Sequence, residues 1–277
     1  MPNYYAHYCF GKEVLARLPE PLRRRLEAER EAYDVGQYGP DPLFFYRWMR
    51  LNNPVRQEGL ELHRQSALPL VERMAASVAR GTPMAAGYAA GMVCHLALDS
   101  ACHGYVRAEA EGGVLTHTAM EAGFDRMLMR RDGLDPFRDT PLPHGGGERL
   151  DRAAAELYER ATARQFRAGL ESFYRFSRRL TRYSGTLAAR GIQWAMERIP
   201  GLGSFRGGLA LSEQESPEQE EASFVLWSLF QEAVPQGAAM VEAFFQYAEE
   251  GRRLPRWFDR DFNGDICPRE EKQSSAS

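Results

Sequence analysis

The chain has 277 residues, 44% of them hydrophobic and 26% charged, which is enough apolar material for one large buried core. A net charge of −3 argues against a strongly basic nucleic-acid binder and leaves room only for a local basic patch. No stretch has the length and apolarity of a transmembrane helix. The N-terminus, Met1 to His7, shows neither the basic nor the apolar region of a signal peptide. Cys9, Cys94, Cys102 and Cys267 form no CxxC pair and read as reduced thiols, so the expected location is cytoplasmic.

Taken in order, residues 1–18 hold His7 in a short helical pattern, and residues 20–33 form an Arg- and Glu-rich solvated face. Gly36 to Pro42 is a turn cluster in which Asp41 sits between two prolines, where extended backbone is expected. By itself Asp41 reads as a turn or N-cap residue. The aromatic run Phe44, Phe45, Tyr46 and Trp48 follows, read as core before pocket lining. His63 lies on a helix that Pro69 limits. Thr82-Pro83 reads as the start of a central helix rich in Ala and Gly, and Gly104, and later Gly112-Gly113, as its end. The next helix spans about residues 116–131, followed by a Gly/Pro loop holding His144, which has no partner at ligand spacing. Residues 148–183 and 186–199 read as helices, 201–208 as a flexible turn and 212–221 as an acidic loop. Residues 222–250 give one or two helices broken near Pro235. With no alternating strand pattern and no internal repeat, the expected fold is all-α, as one helical domain over 1–266 with 267–277 a disordered tail.

The chemistry concentrates between His95 and Glu121. His95, Asp99 and His103 are spaced by four residues, and His117 and Glu121 repeat that step. On a helix a step of four returns to nearly the same face, so each run presents imidazole and carboxylate together. That is a donor set zinc accepts. Glu121 also has a plainer role open to it, because Thr118 to Glu121 matches a capping box. Three of the chain's six histidines nevertheless fall in this one segment with acidic partners in register. Burying His95 and Asp99 on a central helix is costly unless they are paired or metal-bound.

The order His7, Asp41 in Gly-Pro-Asp, His63, His95-xxx-Asp99, His103 and His117-xxx-Glu121 resembles the bacterial zinc-dependent phospholipase C family. The fourteen-residue step from His103 to His117 is part of that resemblance. It implies an all-α phosphodiesterase related in fold to fungal single-strand nucleases, with two or three zinc ions held within residues 1–131. Asp41, His63, His95 and Asp99 would hold one ion. Asp99 would bridge to a second, shared with His7 and the chain's own N-terminus. His103, His117 and Glu121 would hold the third. The implied reaction is phosphoester hydrolysis by a metal-activated hydroxide, with Asp99 between ions and Asp41 a ligand or the group that orients and deprotonates the water. The implied partner is a phospholipid or small phosphoester. A nuclease of the same superfamily and a non-catalytic protein that zinc holds together are the alternatives.

A separate pattern lies near the C-terminus. Asp259, Asp261, Asn263, Gly264, Asp265 and Glu270 fit the spacing of a calcium-binding loop, although Pro268 interrupts it. An Asx-rich turn is the competing reading.

Overall fold

The computed structural model describes residues 4–50, 52–183, 186, 191 and 215–269. Among these the fold is all-α. The elements are α1 (Tyr4–Arg17), α2 (Glu20–Ala28), α3 (Arg30–Gly36), a short 3-10 helix (Asp41–Phe45), α4 (Pro54–Leu62) and α5 (Leu68–Ala79). They are followed by α6 (Ala85–Glu111), α7 (His117–Arg131), α8 (Glu148–Ala155), α9 (Ala163–Tyr183), α10 (Pro217–Glu250) and a 3-10 turn (Arg256–Phe258). The helices expected over 186–199 and the turn over 201–208 fall outside the described residues, apart from Thr186 and Gly191. Among the described residues no helix is long and apolar enough to cross a membrane.

The axis of the molecule is α6, 27 residues long and thus about 40 Å at 1.5 Å per residue. Every residue from Ala85 to Asp99 is buried, as expected of a helix apolar on all sides. Small residues let its neighbours come close. A Cβ at Gly91 would overlap the Tyr33 carbonyl on α3, and one at Gly36 would overlap the Tyr88 carbonyl on α6. Helices α1, α3, α5 and α10 pack around this rod.

Several boundaries differ from the sequence reading for identifiable reasons. Helix α6 starts at Ala85 and not at Thr82-Pro83, because Met84 adopts a left-handed conformation at the N-cap. Its first turn is capped instead by Glu29, whose carboxylate accepts from Gly87 N–H at 2.7 Å. The helix runs on through Gly104, where glycine costs only about 1 kcal/mol relative to alanine. The cap of α7 is Thr116, which accepts from Ala119 N–H at 3.2 Å, so Thr118 is not the N-cap and Glu121 does not close a capping box. Residues 156–162 separate α8 from α9. At the expected acidic loop, Ser216 and Gln219 form a capping box and α10 begins at Pro217. It continues through Pro235, which lies on the exposed side where water can satisfy the freed carbonyl.

Asp41 is not in extended backbone. It opens the 3-10 helix, its N–H donating to the Tyr38 carbonyl at 3.1 Å. At the other end of the chain, the Asp259–Asp265 loop folds back on the core. Arg260 and Ile266 form an isolated bridge, Cys267 N–H donates to the Asp259 carbonyl at 2.9 Å, and Arg269 pairs with Asp259.

Candidate metal centre

The eight residues singled out from the sequence come from five separate elements. Helix α1 supplies His7, the 3-10 helix Asp41, the C-cap of α4 His63, α6 His95, Asp99 and His103, and α7 His117 and Glu121. Each arrives by a local cause. The N-terminus of α1 is held by Asp125 of α7, whose carboxylate accepts from Tyr5 N–H at 3.2 Å and Ala6 N–H at 2.8 Å. That fixes His7 above Asp99. Asp125 lies one turn beyond Glu121, so α7 serves both the site and the helix that carries His7.

The Gly-Pro-Asp turn approaches His95 closely because Gly39 has φ +55 and no side chain; a Cβ there would overlap the imidazole ring. The His63 and His95 rings are both oriented through Nδ1, by the Gly59 carbonyl at 2.8 Å and the Gln37 carbonyl at 2.9 Å. This leaves Nε2 of each ring turned to the centre, the arrangement by which protein metal sites fix a histidine tautomer.

Asp99 is the hub. Its Oδ2 lies 3.1 Å from His95 Nε2, and its Oδ1 lies 3.1 Å from His7 Nε2 and 3.6 Å from His103 Nε2. His63 Nε2 is 3.2 Å from Asp41 Oδ1. On the other side, Glu121 Oε1 is 2.9 Å from His117 Nε2 and 3.7 Å from His103 Nε2. Three groups therefore have converging donor atoms: His7, His95 and Asp99; Asp41, His63 and His95; and His103, His117 and Glu121. Two ligands each about 2.1 Å from a tetrahedral zinc stand about 3.4 Å apart. The observed separations bracket that value. Because Nδ1 of His95 is engaged, its single remaining nitrogen can serve only one of the two groups that contain it.

The electrostatics fit a cation. Burial opposes charge on Asp99, yet His95, His103 and His7 hold its carboxyl well below the usual range. Burial likewise opposes charge on Glu121, but His117 and His103 keep its carboxyl depressed. His103 is pushed up to about 9: burial works against the proton, and Asp99 and Glu121 outweigh it. His95 is raised against burial by Asp99, whereas burial and the neighbouring His95 lower His7. The His7 and His95 rings stack at 4.1 Å between centroids. Most telling, His95 Nε2 is buried without any hydrogen bond, as is His7 Nδ1. His95 Nε2, 3.1 Å from Asp99 Oδ2 yet out of line for a hydrogen bond, is placed as a ligand to an ion shared with that carboxylate would be, whereas the unpartnered His7 Nδ1 is the ring nitrogen that does not face Asp99.

Other parts of the centre carry no spacing signal in the sequence. Phe44 and Phe262 flank the His63 ring at 5.0 and 5.1 Å, and Phe262 also lies 5.7 Å from His95. Asn263 Nδ2 donates to the His63 carbonyl at 2.7 Å. The Asp259–Asp265 loop thus closes one wall of the centre. Its carboxylates are engaged elsewhere: Asp259 with Arg269, Asp265 with Arg107 at 2.8 Å, and buried Asp261 with the N–H groups of Asn263 and Asp265. That is an Asx-turn geometry. Glu270 of the calcium-loop pattern lies outside the described residues, as does the N-terminal amine expected beside His7. His144 stands apart, in a surface cleft with Tyr174 and Arg178.

A family model described as zinc dependent phospholipase C matches residues 6–177. No curated protein and no solved structure matches the chain. The matched span takes in all eight converging residues and α1 through most of α9, and leaves out α10 and the Asp259–Asp265 loop. With the match covering well over half of the sequence, the chain belongs to the zinc-dependent phospholipase C family.

Proposed function

We propose that the protein is a zinc-dependent phosphoester hydrolase, a phosphodiesterase of the phospholipase C kind, acting on a phospholipid or small phosphoester. The observation that carries this is Asp99, buried and faced by three imidazoles, beside a His95 nitrogen that has no hydrogen bond. Asp41, His63, His95, Asp99, His7, His103, His117 and Glu121 are the residues we assign to the metal. Zinc bound there supplies Lewis acidity, neutralising phosphoryl charge and bringing a water close to ionisation near neutral pH.

The chain's own groups do the rest. Asp99 presents one oxygen to His95 and the other to His7 and His103, which supports the reading that it would serve two ions. We assign Asp41 to orient the attacking water and take its proton, with His63 at 3.2 Å steadying the carboxylate. Phe44 and Phe262 keep bulk water from the His63 side. The His117 side chain is more than a third exposed, which leaves the Glu121 group open to a substrate. A purely structural zinc site is closed by four protein ligands, so this openness favours catalysis over a holding role.

The test is metal analysis of protein made in zinc-replete medium, with hydrolysis of a chromogenic phosphodiester or phosphocholine ester. About two or three ions per chain are expected, two if the groups that share His95 exclude one another and three if one of them fills without it, with activity lost to chelator and restored by zinc. Less than one tightly held ion would overturn the assignment.

A further inference from the structure

The turn that follows the Asp41 helix points outward. Trp48 is 53% exposed and Met49 79% exposed, flanked by exposed Arg47 and Arg50. The turn is not loose. Arg47 holds a left-handed backbone at φ +43, Arg50 N–H donates to the Arg47 carbonyl at 2.8 Å, and the buried Asn53 amide donates to the carbonyls of Tyr46 and Arg47. A large indole and a methionine held out into water on a fixed turn are not a folding requirement. Folding would favour burying them.

Helix α9 runs beside this turn. Phe176 lies 5.3 Å from Phe45 and 6.3 Å from Trp48. The side of α9 that faces away from the core is cationic: Arg164, Arg175, Arg178, Arg179 and Arg182 are exposed there against the single carboxylate of Glu171. Among the described residues, none of these arginines, nor Arg47 or Arg50, forms an ion pair; Arg175 only donates to Ser172 Oγ at 3.3 Å. The whole chain carries a net charge of −3, so this is a local concentration of positive charge. Arg175 and Arg179 bracket Phe176 in sequence, which brings cation and apolar tip together.

We infer that the Arg47–Arg50 turn and the arginine face of α9 form a docking surface for an anionic lipid bilayer, Trp48 and Met49 entering the interface and the arginines meeting the headgroups. Tryptophan settles at membrane interfaces, and arginines near an anionic leaflet add electrostatic attraction that salt weakens. A single-stranded nucleic acid would call for cations lining a groove with aromatic platforms; Arg175 and Arg178 do line the cleft that holds His144 and Tyr174, but Glu31 and Glu171 line it too, and exposed Trp48 and Met49 lie outside it. The surface lies one short 3-10 helix from Asp41, so docking brings a lipid phosphoester to the centre assigned above. The inference deepens that reading but is tested without turnover.

The full-length, zinc-loaded chain is sedimented with vesicles of phosphatidylcholine, with and without phosphatidylglycerol, at low and high salt. Binding is expected to the anionic vesicles, weakening with salt. The double variants Trp48→Ser with Met49→Ser, and Arg175→Glu with Arg179→Glu, should each weaken it about tenfold or more. Both should keep the wild-type circular dichroism and full hydrolysis of a soluble phosphodiester. Phe224→Ser, at another exposed apolar position, should bind as wild type. The inference fails if wild type does not bind, if it binds neutral vesicles equally well, if both double variants bind normally, or if the same substitutions abolish tighter binding to a single-stranded polynucleotide. Vesicle binding by a wild-type chain that hydrolyses nothing would support the surface and remove the hydrolase reading.

Discussion

The Asp99 end and the Glu121 end of the centre use the same two side-chain types and differ in how they hold them. At the Asp99 end, His7, His95 and Asp99 are buried, His7 Nδ1 and His95 Nε2 lack hydrogen bonds, and the Gln37 carbonyl fixes the His95 ring from behind. At the Glu121 end, His117 reaches toward solvent and its nitrogen meets Glu121 Oε1 at 2.9 Å, as a hydrogen bond. The first arrangement is poorly satisfied without a cation. The second satisfies itself as a histidine–carboxylate pair. The difference teaches that one end is buried and incompletely hydrogen-bonded while the other is open to solvent and pairs with itself, with Asp99 and His103 joining them; on the proposed reading the first would hold its ion the more tightly.

The sharpest way to break this contrast is to remove the shared charge. Asp99→Asn keeps the shape and deletes the charge on which three imidazoles converge. Hydrolysis should fall by about a thousandfold, read as kcat on a soluble phosphodiester. Glu121→Gln should cost less, about ten- to a hundredfold, because it disturbs one group and leaves the buried one filled. Equal losses in the two variants would erase the distinction between the ends.

Protons give a second handle. Metal binding requires neutral imidazole. His103 in the metal-free protein is raised to about 9, so at pH 7 it must release a proton, whereas His7, lowered by burial, has none to release. The sign for the metal-free fold follows. Since the folded value of His103 lies above its unfolded value of about 6.5, its pairing stabilises fully below pH ~6.5 and fades as the pH rises toward 9. Metal uptake runs the other way and weakens as the pH falls. Calorimetry in buffers of different ionisation heat should show proton release on zinc binding, and His103→Ala should reduce it by about one proton at pH 7.

The smallest expected effect lies in the wall. Asn263→Ala removes the hydrogen bond to the His63 carbonyl and should destabilise the fold by about 1 kcal/mol. It should also weaken zinc at the buried end by about tenfold while leaving the Glu121 end unchanged. Thermal unfolding and chelator competition read these separately.

How much of this the sequence disclosed depends on locality. The four-residue steps place His95, Asp99 and His103 on one helical face, and the structure has them there on α6. The all-α fold was equally legible, because the periodicity of the described segments never switches to two. Boundaries were less so. A glycine or proline on an exposed helix face is tolerable, so Gly104 and Pro235 end nothing. The Asp259–Asp265 stretch was visible as a motif, but its residue types could not tell a calcium loop from an Asx turn whose asparagine reaches His63 some 200 residues away. The orienting carbonyls of Gln37 and Gly59 carry no side-chain signal at all, and Gly39 could be read only as a turn until the His95 ring was seen against it.

The most direct test of the central claim, that Asp99 is the carboxylate shared between ions, is the zinc content of Asp99→Asn beside that of Glu121→Gln, both purified from zinc-replete cells and measured by elemental analysis. The shared-hub arrangement predicts that Asp99→Asn loses more than about one ion per chain and Glu121→Gln about one. An Asp99→Asn protein that keeps its full zinc while Glu121→Gln is stripped would contradict it and move the centre to the His117–Glu121 side.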